Sequence, residues 1–327
     1  HRTMKHKSRE VRQQLLCLLA DGDFHSGETL AQTLNLSRTA IAGHINQLID
    51  WGLDVFKVKG KGYKLNRPLK LLDAETITGA FSNKSYADIS VLQVIESTNT
   101  ELKNTDRVRA NGDTVLAEIQ TAGRGRHGRQ WLAPVGGSLT FSMYWRFNDG
   151  YQGMAGLSLL VGVAICRALR DFGVEEARLK WPNDVYLYGK KLAGVLIEVE
   201  GQIGAPADCI IGIGLNVMVP AHEYDVGQPH TDLSQVLGPD VDRNEVAARI
   251  IEQLWTLLPD FTQRGFEPYI EEWQHLDWFA DRTVVVKTGD KRISGINRGI
   301  DASGALLLET ADGITRFHGG EVSLRAN

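Results

Sequence analysis

Residues Gln120 to Trp131 read QTAGRGRHGRQW, and the fold turns on how this stretch is interpreted. Gly123, Gly125 and Gly128 match G-x-G-x-x-G, interleaved with Arg124, Arg126 and Arg129. A dinucleotide fingerprint requires a strand before the glycines and a helix opening on them. DTVLAEIQ, Asp113–Gln120, supplies the strand. No helix follows: Arg129 to Gly137 reads as loop, with Pro134, Gly136 and Gly137, and a strand-like run, LTFSMYW, starts at Leu139. The Rossmann reading is therefore excluded. A disordered Arg-Gly segment for RNA is excluded as well, because the stretch is short and flanked by core-type strands. What remains is a glycine-permitted loop of guanidiniums and backbone N–H groups, a chemistry suited to phosphate or another anion.

On both sides of the loop the chain alternates strands and helices. VLQVIE (91–96), VYLY (185–188), LAGVLIEVE (192–200) and CIIGIGLNVMV (209–219) read as strands. The run from Gly153 to Gly173 reads as a strongly apolar helix, and VAARIIEQLWTLL, from Val246, as an amphipathic one. Antiparallel strands with helices on one face, an α+β layer, is the simplest architecture for this segment.

Ahead of it, fold reasoning starts at Met4. Val11, Leu15, Leu16, Leu18 and Leu19 share a helical face, and Gly22 stops that helix. A short helix with Leu30, Ala31 and Leu34 follows, and Ser37 N-caps a third whose apolar face is Ile41, Ile45, Leu48 and Ile49. This is a helix-turn-helix pattern, in which the second helix of the pair enters the major groove. Arg38, Thr39, Gly43 and Asn46 lie on its outer face. Arg38 suits guanine and Asn46 adenine by donor and acceptor layout. DVFKVKGKGYKL then reads as a basic hairpin wing, with Lys59 and Lys61 flanking Gly60 and placed for phosphates. Charge agrees: residues 1–67 carry 11 Lys+Arg against 6 Asp+Glu, whereas the rest holds 25 against 34. Arg67-Pro68 marks the boundary.

The three cysteines, Cys17, Cys166 and Cys209, have no metal-ligand spacing. Cys17 and Cys209 read as small core residues. Sparse cysteines, no unbroken apolar run of ~18 residues and no signal-peptide pattern imply a cytoplasmic protein with no membrane partner. TVVVKTGD, RISGINRGID, GALLLETADG and TRFHGGEVSLR close the chain as short strands at near-regular spacing, the signature of a small β-barrel.

Three more stretches belong with the arginine loop: Ser97-Thr98-Asn99, Lys180-Trp181-Pro182-Asn183-Asp184, and Lys191-Leu192-Ala193-Gly194. In this order STN, GRGRxGRxW, KWPND and KLAG resemble the biotin–protein ligases. With the helix-turn-helix ahead, the chain resembles the bifunctional ligases that also repress the biotin operon, over essentially everything after Met4. The resemblance implies a winged helix-turn-helix over 4–66, a mixed α/β catalytic domain of the biotin/lipoate ligase type over 67–280, and an SH3-like barrel over 281–327. It implies biotinyl-5′-AMP made from biotin and ATP with Mg²⁺, and biotin transfer to a lysine of the biotin carboxyl carrier protein. It further implies that biotinyl-5′-AMP is the corepressor, favouring a homodimer on operator DNA.

Adenylation brings a carboxylate against an α-phosphate, so positioned cations lower its barrier. The motif match puts Lys191 between these anions, with Arg126 and Asp184 as its catalytic companions. Arg126 and Arg129 clamp phosphates as the loop orders. Ser97, Thr98 and Gln120 satisfy biotin's ureido group, helped by Arg124, with Asn99, Gly123 and Gly125 in the same set. Gly194, Gly212 and Gly214 let strands approach the rings and acyl chain. Trp131 walls the site on the nucleotide side, which Lys180, Asn183, Asp184 and Asn216 complete. Asp184 and Asn216 are the candidates for the Mg²⁺ neighbourhood, Asp184 alternatively orienting Lys191 or serving as base in the transfer step. The 220–229 stretch reads as plain surface loop, with Tyr224 or His230 stacking on adenine as the alternative. A lipoate–protein ligase is the alternative enzyme, but its pocket needs no ureido partners. A repressor that senses ligand without ligating is opposed by the retained Lys191 and the complete arginine loop.

Overall fold

The computed structural model describes residues 2–84, 86–103, 107–131, 133–219 and 228–324. Three helices, α1 (Arg2–Leu19), α2 (Gly27–Leu34) and α3 (Arg38–Asp50), precede a hairpin of β1 (Val55–Val58) and β2 (Gly62–Leu65). α1 thus begins ahead of Met4. The caps are built from short polar side chains: Ser26 Oγ accepts the Thr29 N–H, and Ser37 Oγ that of Ala40. Asn35, in the left-handed region at φ 53°, turns the chain from α2 into α3. Leu15, Leu16, Leu19, Leu30, Ile41, Ile45 and Leu48 are buried between the helices. Cys17, expected in this core, is exposed instead, because Leu16 and Leu19 take the inward face of α1.

Arg38, Thr39, Gly43 and Asn46 share the exposed face of α3, and Lys59 and Lys61 stand exposed on the hairpin. His25 pairs antiparallel with Tyr63, adding a third line of chain to the wing. Gly62 permits that approach: at φ +103°, a Cβ there would meet the His25 carbonyl oxygen at 2.2 Å. Lys57 Nζ donates to Asn46 Oδ1 at 2.5 Å, tying wing to helix.

The connection to the body is a clamp rather than a free tether. Leu69 N–H bonds the Ala20 carbonyl, and Lys70 pairs with Asp242 at 2.6 Å. Beneath them a fully buried ion pair joins Arg243 and Glu118 at 2.5 Å. Glu118 also accepts the Leu72 N–H, and Arg243 donates to the Lys70 and Ser138 carbonyls. Asn244 bonds the Leu71 carbonyl and the Asp73 N–H, where α4 (Ala74–Gly79) begins. Val94 and Ile119, from the body, pack in the same apolar cluster as the core of the head.

The body is built on β3 (Ile89–Ile95), α5 (Thr98–Lys103), β4 (Thr114–Gln120), β5 (Ser138–Phe147) and α6 (Leu157–Arg170). It continues through β6 (Ala177–Lys180), β7 (Asp184–Leu187), β8 (Lys190–Glu200), β9 (Ala207–Asn216), α7 (Ser234–Leu237), α8 (Arg243–Arg264) and α9 (Ile270–Leu276). The sheet order is β3-β4-β5-β9-β8-β7-β6. It is mixed rather than wholly antiparallel: α5 carries the chain back, so β3 and β4 run parallel. Gly150–Arg170 is apolar and long enough to cross a membrane by composition, but it belongs to the core, with Leu159, Leu160, Val163 and Ile165 of α6 buried.

The C-terminal SH3-like unit has β10 (Thr283–Thr288), β11 (Lys291–Ile300), β12 (Leu306–Thr310), β13 (Gly313–Phe317) and β14 (Glu321–Leu324), all antiparallel in the order β13-β12-β11-β10-β14. At its junction with the body, Asp277 accepts from Phe279 N–H at 3.0 Å and Asn297 Nδ2 at 2.8 Å. Burial pushes the Asp277 carboxyl up to about 6, against those two hydrogen bonds.

Two consequences are measurable. Glu118→Ala leaves Arg243 buried and unpaired, and should lower unfolding free energy by about 3–5 kcal/mol in a denaturant titration; a loss under ~1 kcal/mol contradicts the clamp. The raised Asp277 carboxyl stabilises the fold when protonated, and this contribution fades as pH rises through about 6. Asp277→Asn should therefore gain on the unmodified protein between pH 5 and pH 7.5, read as a widening difference in Tm. A gap that narrows as pH rises contradicts the assignment.

Candidate active site

The site floor is set by strand register. Along β5, Ser138, Thr140 and Ser142 alternate with the core residues Leu139, Phe141 and Met143. β9 lies alongside, pairing Ser138 with Asn216, Thr140 with Gly214, and Ser142 with Gly212. β8 continues the surface, pairing Gly214 with Gly194 and Gly212 with Leu196. A band of small side chains and bare backbone results, and over it opens a cavity of about 700 Å³.

The glycines are needed for what lies above them. A Cβ on Gly214 would sit 2.4 Å from the Trp131 indole, and one on Gly212 would sit 2.5 Å from Asn99 Oδ1. A Cβ on Gly194 would meet Lys191 Cε at 3.3 Å and the Trp131 ring at 3.4 Å. Trp131 thus lies across the glycine band as a wall, and its buried Nε1 has no hydrogen-bond partner.

One end of the cavity is neutral and polar. Ser97 Oγ accepts the Thr100 N–H at 3.1 Å, so its own proton remains to donate. Gln120 Oε1 accepts the Thr98 N–H at 2.8 Å, which leaves its amide nitrogen as a donor. Thr98 Oγ1 lies 2.6 Å from Ser142 Oγ, which in turn donates to Asn99 Oδ1. Asn99 Nδ2 reaches Glu198 Oε1 at 3.0 Å. Glu198 also binds Lys103 and takes Arg124 through both guanidinium nitrogens, at 2.8 and 3.0 Å. Burial works against this carboxylate, but bonds from Lys103, Asn99 and Arg124 outweigh it and hold its pKa below the usual range.

The other end is cationic. Lys191 Nζ pairs with Asp184 at 3.2 Å, and both side chains are largely buried. The chain at 229–231 runs beside Lys191, bringing His230 to the cavity wall. Lys180 Nζ bonds the Tyr186 hydroxyl at 3.0 Å, and burial lowers its pKa against the opposing pull of Asp184 and Glu321, with Arg126 and Arg129 adding to the fall. Arg129 pairs with Glu321 of β14 at 3.1 Å, and Arg126 reaches the Gly320 carbonyl, so the barrel closes one side. Asn216 spends its Nδ2 on the Thr231 carbonyl at 3.1 Å, leaving its amide oxygen.

Most of the residues singled out from sequence therefore meet on one cavity; two do not. Asn183 binds the Val195 carbonyl at 2.9 Å and faces a neighbouring hollow of about 320 Å³. Gly123 lies behind the wall, where a Cβ would sit 2.7 Å from the Trp131 carbonyl. Tyr224 lies outside the described residues, as does Leu132. The arginine loop contains a single 3₁₀ turn, Arg126–Gly128, and no α-helix, as its loop reading requires. Thr140, Ser142, Glu198, Lys103 and Glu321 went unread. The signal for the first two was present in SLTFSMYW as polar residues at every second position.

Family models match in three places: an HTH domain over residues 11–64, the biotin/lipoate A/B protein ligase family over 91–216, and the biotin protein ligase C-terminal domain over 280–325. The bifunctional ligase/repressor BirA of Salmonella typhimurium is 46% identical over 320 residues, covering 98% of this chain and 99% of that protein. BirA of Bacillus subtilis is 31% identical, covering 93% and 95%. Among solved structures, the biotin protein ligase of Aquifex aeolicus in complex with biotin and ATP superposes with a TM-score of 0.65 at 30% identity, covering 74% of this chain and all of that one. With the recognition head, the glycine-floored cavity and the closing barrel in one polypeptide, the chain belongs to the bifunctional biotin ligase/repressor family.

Proposed function

We propose that biotin lies along the glycine band with its ureido ring on Ser97, Thr98 and Gln120 and its carboxylate at Lys191. The chain is a biotin–protein ligase that uses ATP and forms biotinyl-5′-AMP. The observation that carries the placement is the cavity's polarity: a neutral end of matched donors and acceptors, and a cationic end with Lys191, Lys180, Arg126 and Arg129. In the first step a biotin carboxylate oxygen attacks the α-phosphorus of ATP and pyrophosphate leaves. Lys191 Nζ holds both anions, and Asp184 fixes its direction through the 3.2 Å pair. Arg126 and Arg129 bind phosphates, exchanging Gly320 and Glu321 for the nucleotide. In the second step a lysine amine of the carrier attacks the acyl carbon, AMP leaves, and Asp184 is the proposed acceptor of the amine's proton.

Mg²⁺ arrives with ATP. Among the described residues no group of three or more His, Cys, Asp or Glu could hold a metal ion. Mg²⁺ keeps several waters and takes one or two protein oxygens beside phosphates. When Mg²⁺ is bound, Asp184 and the amide oxygen of Asn216 would supply those oxygens. Arg124 serves differently from the other arginines: its guanidinium is engaged by Glu198 and Thr100, so it anchors the loop. Asn183 supports the site through β8 rather than touching nucleotide.

We place the domain limits at 4–66, 67–280 and 281–327. The acceptor is the biotin carboxyl carrier protein. The adenylate-bound form dimerises in the cytoplasm on operator DNA, with Arg38, Thr39, Gly43 and Asn46 toward bases and Lys59 and Lys61 toward phosphates. The decisive experiment is mass spectrometry of a biotin-carrier domain incubated with this protein, biotin and Mg-ATP. A biotin mass increment on one lysine is expected; lipoylation instead would assign the alternative chemistry.

Lys191→Ala should cut biotin-dependent pyrophosphate exchange by about 10²–10³ while leaving Tm within a few degrees. Retention of full exchange removes Lys191 from the reaction. Arg38→Ala should weaken operator binding about tenfold or more in a filter-binding assay, with carrier biotinylation unchanged. A fall in biotinylation would refute the division of labour between head and body.

A further inference from the structure

We infer that Glu198 and Ser142, neither of which touches the ligand, dictate that the Thr98 hydroxyl is a hydrogen-bond acceptor in the cavity, and so select ligands that present an N–H there. The inference rests on the ureido placement above and follows from proton counting. Asn99 Nδ2 faces two groups that can only accept, the Glu198 carboxylate at 3.0 Å and the Leu196 carbonyl at 3.4 Å. The Asn99 amide therefore has one orientation, and its Oδ1 is turned to Ser142. An amide oxygen cannot donate, so the Ser142 hydrogen goes to Asn99. Ser142 Oγ then has only lone pairs for Thr98, 2.6 Å away, and the Thr98 hydrogen goes to Ser142. What Thr98 has left for the cavity is lone pairs alone.

The direction of this chain is fixed at its charged end. Lys103 and Arg124 both bind Glu198 and keep it an acceptor. Ser142 is fully buried, and Asn99 and Thr98 nearly so, so the chain of hydroxyls and amide is closed off from bulk solvent. Beside Thr98, Ser97 and Gln120 retain donors. The resulting pattern of two donors and one acceptor matches a carbonyl flanked by an N–H. An oxygen in place of that N–H would face the Thr98 lone pairs, and a hydrogen-bonding site of this kind rejects such an analogue by about 10⁴.

Ser142 and Glu198 are positioning residues, and the test reads selectivity rather than rate alone. Full-length protein is assayed by pyrophosphate exchange with biotin and with the two cyclic carbamate analogues in which one or the other ring N–H is replaced by oxygen. The unmodified protein should discriminate against at least one analogue by ~10³ or more in kcat/KM. In Ser142→Ala the Thr98 hydrogen has no buried acceptor and can turn toward the ligand. Discrimination against that analogue should fall at least tenfold, while biotin's KM rises about tenfold and its kcat stays within about threefold. In Glu198→Gln the amide keeps its oxygen on Lys103 and Arg124 Nη1 and turns its nitrogen to Asn99, with Arg124 Nη2 giving up its bond there, so the chain can reverse. Discrimination should fall there too, without removal of any group next to the ligand.

Unchanged discrimination in folded Ser142→Ala or in Glu198→Gln overturns the inference, as does a fall in kcat with KM and selectivity intact. If Ser142→Ala fails to fold, Glu198→Gln decides alone. Absence of biotin-dependent exchange in the unmodified protein would instead refute the ureido placement itself.

Discussion

Where β9 runs between β5 and β8, side chains that would normally cover a sheet have been reduced to hydroxyls or removed altogether. Thr140 and Ser142 face Gly214 and Gly212 across one ladder, and Gly214 faces Gly194 across the next. Because side chains alternate along a strand, a slip of one residue in either ladder would turn Leu215 or Ile213 into the cavity and bury the polar set. The register is held from below by the same alternation, through the fully buried Leu139, Phe141, Ile211 and Leu215. Core packing and ligand space are therefore two faces of one constraint, and the arginine loop, Trp131 and Lys191 are arranged on the surface it creates.

Charge is distributed with similar economy. Three arginines share one loop, yet Arg124 is neutralised by Glu198 within the neutral end, whereas Arg126 and Arg129 face Lys180 and the barrel. Burial lowers the Lys180 pKa, Asp184 and Glu321 oppose it, and Arg126 and Arg129 add to it. On the barrel side, Glu321 and the Gly320 carbonyl hold Arg129 and Arg126.

Much of this was legible in the sequence because it depends on local chemistry. Ser37, Asn35 and the Gly60 turn announce the head, and the want of a helix after Gly128 removes the dinucleotide reading. The parts that were not legible depend on pairings between distant residues. The parallel run of β3 and β4 is set by the short α5, which Ser97-Thr98-Asn99 concealed by serving as cap and site together. Cys17 looked like core because its neighbours are leucines, but a helix shows only one side inward. Asn183 sits in a motif with Lys180 and Asp184, yet strand geometry sends it to the β8 edge. Glu118 and Arg243, a fully buried pair separated by more than a hundred residues, carry no sequence signature at all.

That last pair has a bearing on how one chain can serve two tasks. Glu118 lies two positions before Gln120 on the strand that ends at the ureido group's proposed seat, and it holds the backbone at Leu72. Head and body also share an apolar cluster, so the joint has little slack. A molecule jointed this way behaves as a rigid bracket. The angle at which the recognition helix is offered to DNA is therefore set by the catalytic body that carries it.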